Sequence, residues 1–215
     1  MGSAVDFFTN RYSLTGLDNN LNEQERAFQQ SMNRFARDVI KPAGIALDKL
    51  TPEQVIAQDS PLWTVFKQFA DMGIVELMRD GDLDALTQER FTGILLEELA
   101  WGDAGLAVSL GVSMTIELLL RNFPNAFISQ QLPAQYIGSW CISEPDHGSD
   151  QIYGDHATSS PNCLVTMDGD ELVITGQKAA WVSNGPIATH TALFTACKDE
   201  AGNVGQCIVV VPLDL

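Results

Sequence analysis

The reading of this chain turns on Trp140-Cys141-Ile142-Ser143-Glu144-Pro145-Asp146-His147-Gly148-Ser149-Asp150. It is followed by Gly176-Gln177-Lys178-Ala179-Ala180-Trp181-Val182-Ser183-Asn184-Gly185-Pro186. In the first segment a short β-type run ends at Ser143, and Pro145 and Gly148 force an irregular loop. Such a loop can turn backbone N–H groups, with the Ser143 and Ser149 hydroxyls, toward a polar ligand. In the second, an indole and a hydroxyl stand two residues apart. A strand over 179–183 would put Trp181 and Ser183 on one face, where a flat aromatic ligand could stack and hydrogen-bond. On residue chemistry alone the first segment reads as readily as an ordinary surface turn, and the second as a core tryptophan beside a turn.

Around these segments the pattern is that of short strands. Cys163–Met167 and Leu172–Thr175 flank Asp168-Gly169-Asp170, a hairpin signal. Ala188–Cys197 and the apolar run Cys207–Val211 flank a second turn at 199–203. Upstream of residue 130 the period is helical. Asn22 with Glu25 forms a capping box. Phe28, Met32, Phe35, Ala36, Val39 and Ile40 then recur on one face up to Pro42, which is expected to end or kink the helix. Thr51-Pro52 and Ser60-Pro61 each place a cap before a proline suited to the first helical turn. The helix after Ser60 carries Trp63, Val65, Phe66 and Phe69 and stops near Gly73. Another starts near Thr87 and buries Phe91, Ile94, Leu95 and Leu99. The run from Ala104 to Leu120 is expected to be one further, nearly encased helix, and a short one follows Asn122 or Pro124. The expected fold class is therefore α+β: an all-α helical domain over 1–130, then an antiparallel β domain over 131–215.

Composition narrows the function classes. The 215 residues hold 12 Lys+Arg against 28 Asp+Glu, a net charge of −16. Phosphate backbones and anionic lipid surfaces would repel such a chain, so nucleic acid and membrane are not expected partners. The run 104–120 contains Glu117 and two glycines, so no membrane span is expected. The first twenty residues carry one base, Arg11, and no cationic-then-apolar leader, so a cytoplasmic location is expected. Cys141, Cys163, Cys197 and Cys207 form no CxxC pair and read as reduced, mostly buried thiols. His147, Asp150 and His156 fit no standard metal spacing, so no metal is expected. His190 reads as a structural or surface residue. Glu97 and Glu98 read as a solvated helix face or a cap partner.

Taken together, the two segments resemble the acyl-CoA dehydrogenase family. Ile142-Ser143-Glu144-Pro145-x-x-Gly148-Ser149-Asp150 is similar to that family's Thr-Glu-Pro-x-x-Gly-Ser-Asp signature. Gly169–Asn184, with Trp181-Val182-Ser183-Asn184, is similar to its Trp-x-Thr-Asn block. Glu97–Asp103 and Asn22–Lys49 resemble helices of the same family. The resemblance implies an incomplete version of that family's barrel-like β domain and an FAD-dependent oxidoreductase acting on CH–CH groups. In such enzymes a carboxylate removes the α-proton of an acyl-CoA while the β-hydrogen leaves as hydride to flavin N5. It implies that Trp140, Ile142, Ser143, Gly148 and Ser149 lie in the strand and loop holding the flavin pyrimidine edge and pyrophosphate. Ser149 would also lie near the CoA moiety, Trp181 with Val182 would pack on the flavin, and Ser183 would reach the N5 region. Ser143 and Ser183 stand where the family has Thr, and keep the hydroxyl with a looser rotamer.

The resemblance also implies an electron-transfer flavoprotein partner and a homo-oligomer. Members run to nearly twice this length, with a C-terminal helical domain that supplies the base, so no catalytic residue is nominated here. The chain by itself is expected to be inactive and to hold FAD weakly or not at all. Lys178 is the only base near the proposed flavin site. The 79–84 segment is shorter than the family's Gly-rich loop near the acyl pocket, so acyl length is not implied. Two other readings stand beside the dehydrogenase: an acyl-CoA oxidase or flavin monooxygenase on the same scaffold, and a non-catalytic half-protein that pairs with a separate C-terminal chain.

Overall fold

The computed structural model describes residues 21–79, 83–133, 135–150, 161–198, 202 and 204–213. The N-terminal stretch read for a leader, residues 80–82 of the 79–84 loop, most of the 199–203 turn and His156 lie outside the described residues. The chain divides into two compact units, Met1–Val108 and Ser109–Leu215.

The first unit is helical. Helix α1 (Glu23–Phe35) starts at the expected capping box: Glu25 N–H donates to Asn22 Oδ1 at 2.8 Å, and Asn22 N–H donates to Glu25 Oε2 at 2.8 Å. The helix does not stop at Pro42. A π-helical turn over Ala36–Ile40 leads into α2 (Lys41–Leu47). Proline lacks the N–H that would continue an α-type ladder, and a widened turn accommodates it. Thr51 and Ser60 cap α3 (Pro52–Val55) and α4 (Pro61–Asp71) as expected. A short α5 (Ile74–Arg79), which no sequence signal announced, precedes α6 (Ala85–Gly102), capped by Asp84.

Helices α1 and α6 pack through Phe28 stacked on Phe91, ring centroids 4.5 Å apart. Phe35 meets Phe69 of α4. The core is Met32, Phe35, Ala36, Ile40, Val65, Phe91, Ile94, Leu95 and Leu99, all buried. Two acids enter it with partners. Glu25 is paired with Arg90 Nη1 at 2.9 Å, and Glu98 accepts from Asn33 Nδ2 at 3.2 Å. Glu98 is 1% exposed, so it is a buried polar tie between the two helices and not a solvated face.

The apolar run from Ala104 is two helices, α7 (Ala104–Ser113) and α8 (Thr115–Asn122), bent by 44° at Met114. Nor is it encased: Ala104, Gly105 and Val108 are exposed. Among the described residues no single helix is long and apolar enough to cross a membrane. Helix α9 (Ala126–Gln131), capped by Asn125, follows.

The second unit is built on a five-stranded open sheet: β1 (Gly138–Cys141), β2 (Leu164–Asp168), β3 (Glu171–Thr175), β4 (His190–Lys198) and β5 (Val204–Pro212). Strand β4 is the hub. One side pairs along its whole length with antiparallel β5, from His190↔Pro212 to Lys198↔Val204. On its other side the first half takes β1 in parallel (Gly138↔His190 to Cys141↔Leu193), and the second half takes β2 in parallel (Leu164↔Ala196). The expected antiparallel pattern holds in the β2–β3 and β4–β5 hairpins; the two parallel pairings make the sheet mixed. The β2–β3 turn is Gly169-Asp170, with Gly169 at φ 62°, as a two-residue hairpin of this hand requires.

All four thiols are free, but only Cys163 is fully buried. Burial pushes the Cys207 thiol up to about 12, with smaller contributions from Cys197 and Cys163 beside it.

Candidate flavin-facing site

Strand β1 leads into the first loop of the candidate site. Gly138 lies so close to Ser113 O that an added Cβ would stand 2.5 Å from that oxygen. Gly138 N–H donates to Ser113 Oγ at 3.1 Å, and the strand enters the sheet beside α8. Trp140 is half-buried and stacks on Phe194 of β4 at 5.1 Å. Its indole N–H and the Ser139 hydroxyl are buried with no hydrogen-bond partner among the described residues.

Past β1 the chain leaves the ladder, and one carboxylate anchors it. Glu144, 1% exposed, accepts from the Asn162 N–H at 2.7 Å, the Cys163 N–H at 3.0 Å and Lys178 Nζ at 2.8 Å. Burial alone would raise its pKa. The bonds from Lys178, Cys163 and Asn162, with the Lys178 charge, outweigh burial and hold the carboxyl below the usual glutamate range. Lys178 Nζ also donates to Ile142 O at 2.8 Å, and Ala179 N–H donates to Ser143 O at 2.8 Å. The two sequence segments are thereby held against each other. Glu144 and His147 exchange backbone bonds of 2.9 and 3.3 Å, closing the turn around Pro145. Asp150 then accepts from the Gly148 N–H at 2.6 Å, and its other oxygen lies 2.7 Å from His147 Nδ1.

The segment around Trp181 is not a strand. Residues 177–182 form a loop without ladder bonds, and 183–187 form a turn. Asn184 sits at φ 63°, a left-handed conformation that asparagine tolerates. Its Nδ2 donates to Ser109 O at 2.8 Å and Gly138 O at 3.0 Å, and the Ser109 hydroxyl donates back to Oδ1 at 2.5 Å. The run therefore lies outside the sheet, tied by Ala179 N–H on Ser143 O and by the Asn184 side chain on Ser109 O and Gly138 O. Shared strand geometry does not relate Trp181 to Ser183, yet both are exposed, and Trp181 is 75% exposed. Val182 is half-buried, Ser149 is exposed, and Ile142, Ser143 and Gly148 are half-buried.

A bare indole plane, open space around Gly148 (an added Cβ there would meet nothing within 4 Å), and the hydroxyls of Ser143, Ser149 and Ser183, which bond to none of the described residues, line the two segments. This donor set fits a planar, acceptor-rich group such as FAD. Lys178 does not serve its phosphates, because the Lys178 charge is matched by Glu144 inside the fold. Among the described residues no group of three or more His, Cys, Asp or Glu is placed to hold a metal. His190 packs edge-on against Tyr136 at 5.6 Å, and burial lowers its pKa.

Three residues that organise the site were not singled out as site residues: Glu144, Lys178 and Asn184. Their signal was present in part. Lys178 is one of only two bases after residue 130, and an acid between a strand end and a proline invites a partner.

No family model matches the chain. Among curated proteins, isovaleryl-CoA dehydrogenase of Arabidopsis thaliana is 25% identical over 98% of this chain and 50% of its own length. Benzylmalonyl-CoA dehydrogenase of Aromatoleum aromaticum is 29% identical over 86% of this chain and 46% of its own length. Among solved structures, a glutaryl-coenzyme A dehydrogenase–glutaryl-CoA complex aligns over 90% of this chain and 47% of that chain, with TM-score 0.68 and 21% identity. An FAD complex of PigA aligns over 91% of this chain and 49% of that chain, with TM-score 0.68 and 20% identity. The chain thus spans about half the length of the curated relatives it matches.

Proposed function

From homologues that are acyl-CoA dehydrogenases over most of this chain, and a fold that is theirs, we propose that it is the flavin-facing portion of an FAD-dependent acyl-CoA dehydrogenase. The observation that carries the proposal is the pairing of the Ile142–Asp150 loop with the Lys178–Asn184 loop, which leaves Trp181 bare on one loop and serine hydroxyls on both. In this reading Trp181 and Val182 receive the isoalloxazine face, Ser143 and Ser183 hydrogen-bond to its polar atoms, and Gly148 and Ser149 lie along the phosphates. Bound FAD would supply the hydride acceptor. Ser149 would also lie near the CoA moiety of the substrate.

Electrons would pass to an electron-transfer flavoprotein, and the whole protein would be a homo-oligomer. No residue here is assigned the role of base for α-proton abstraction. The proposal is tested by titrating FAD into the chain and following flavin absorbance and tryptophan emission together. Of the two expected outcomes, weak binding and none, the paired loops favour the first: saturable binding that red-shifts flavin absorbance or quenches tryptophan emission supports the proposal. An absorbance trace equal to free FAD at all concentrations contradicts it.

A further inference from the structure

The Glu144–Lys178 pair lies behind the candidate site and not on it: the two side chains are 0% and 9% exposed. Burying two charges is expensive, and a well-packed apolar pair would serve packing at least as well. What the ion pair does, and an apolar pair could not, is engage named backbone groups. Lys178 Nζ occupies Ile142 O, and the Glu144 carboxylate occupies the N–H groups of Asn162 and Cys163 at the start of β2. Ala179 N–H, next to Lys178, occupies Ser143 O. Both carbonyls of the Ile142-Ser143 step are therefore taken from behind. The Ser143 hydroxyl is left, bonded to none of the described residues, and it can donate to an acceptor.

We infer that Glu144 and Lys178 are positioning residues. They lock the Ile142-Ser143 carbonyls inward so that the loop meets its ligand with donors, which suits a ligand edge rich in carbonyl oxygens and ring nitrogens. The inference rests on the flavin reading for the identity of that ligand, but the locking itself is a property of the chain without ligand. Lys178 is thereby removed from any direct role in neutralising phosphate.

The test uses the full chain and two variants. Lys178→Met alone leaves a buried, unpaired carboxylate and is the variant at risk of not folding. Glu144→Gln/Lys178→Met removes both charges at unchanged net charge. In the double variant, circular dichroism and the β4–β5 amide protection are expected to match the parent. Exchange of the amides over 142–149 is expected to quicken about tenfold, as local opening replaces the lock. FAD affinity is expected to fall about tenfold at an unchanged unfolding midpoint, the separation that a purely structural pair would not give. Unchanged loop exchange in the folded double variant overturns the inference. A fall in affinity that only tracks a fall in the unfolding midpoint overturns it too. If the parent chain shows no FAD binding, the flavin reading fails alone, and the exchange result still decides the lock.

Discussion

At the level of single residues, Asn184 and Trp181 make opposite contributions. Asn184 adopts a left-handed conformation and ties Ser109, Gly138 and the Trp181 loop together with three hydrogen bonds. Asn184→Ala strands the two carbonyls and strains the backbone, so chemical denaturation should show a loss of about 2 kcal/mol. Asn184→Gly restores the conformation but not the bonds, and should lose less. Trp181 buries little of its ring, so Trp181→Ala should move the same denaturation midpoint by less than about 0.5 kcal/mol while weakening flavin binding. Trp181 was legible through the Trp-x-Ser-Asn spacing and the resemblance it carries; on residue chemistry alone it reads equally as a core tryptophan, and its 75% exposure is set by the fold. Asn184 was less so: its role lies in contacts with residues 46 and 75 positions away.

Among the elements, local signals and long-range pairing part company. The caps at Asn22, Thr51 and Ser60 and the Gly169-Asp170 hairpin follow from residues within one turn, and they stand where expected. The bend at Met114 did not show in the 104–120 run, because a mostly apolar composition looks the same in one helix or two. The parallel pairing of β1 and β2 with β4 was equally hidden. Alternation in a strand reports its faces and not the direction of its neighbour. Gly176 marks the join between the β3 edge and the Lys178 loop. It sits at φ 139°, and an added Cβ would come within 2.6 Å of Cys163 Cα. Gly176→Ala should therefore destabilise the second unit by about 2 kcal/mol, measured as a lower thermal midpoint, and should loosen the Glu144 anchor with it.

Across the whole molecule the charge balance becomes a pH dependence. Glu25 and Glu144 are both buried, and both are held below the ordinary glutamate range, burial being outweighed by hydrogen bonds and the adjacent Arg90 and Lys178. A depressed carboxylate contributes stability that is fully present above its unfolded pKa and is lost as pH falls through its folded one. Stability of the first unit should therefore hold from neutral pH down to about 4.5 and fall below it. In the second unit a smaller fall should begin near pH 6.5, where unfolded His190 takes up a proton that its half-buried imidazole resists, and Glu144 adds a second fall below about 4.5. Unfolding midpoints measured between pH 7 and pH 3 check this (Glu144→Gln should flatten the slope for the second unit only). The net charge of −16, which makes nucleic acid an unexpected partner, bears on the proposed flavin too: Lys178 is spent inside the fold, so the two loops would offer a cofactor shape and hydrogen bonds and little cationic charge.

The central claim is that the two clamped loops of the second unit form a flavin-facing surface with Trp181 on it. Its most direct test is an FAD titration of the parent chain and of Trp181→Ala, read by flavin absorbance with folding checked in the same samples. The account predicts saturable binding by the parent and about tenfold weaker binding by the folded variant, the usual scale for one aromatic stacking partner. Equal affinity in the two proteins, or no binding by the folded parent, would contradict it.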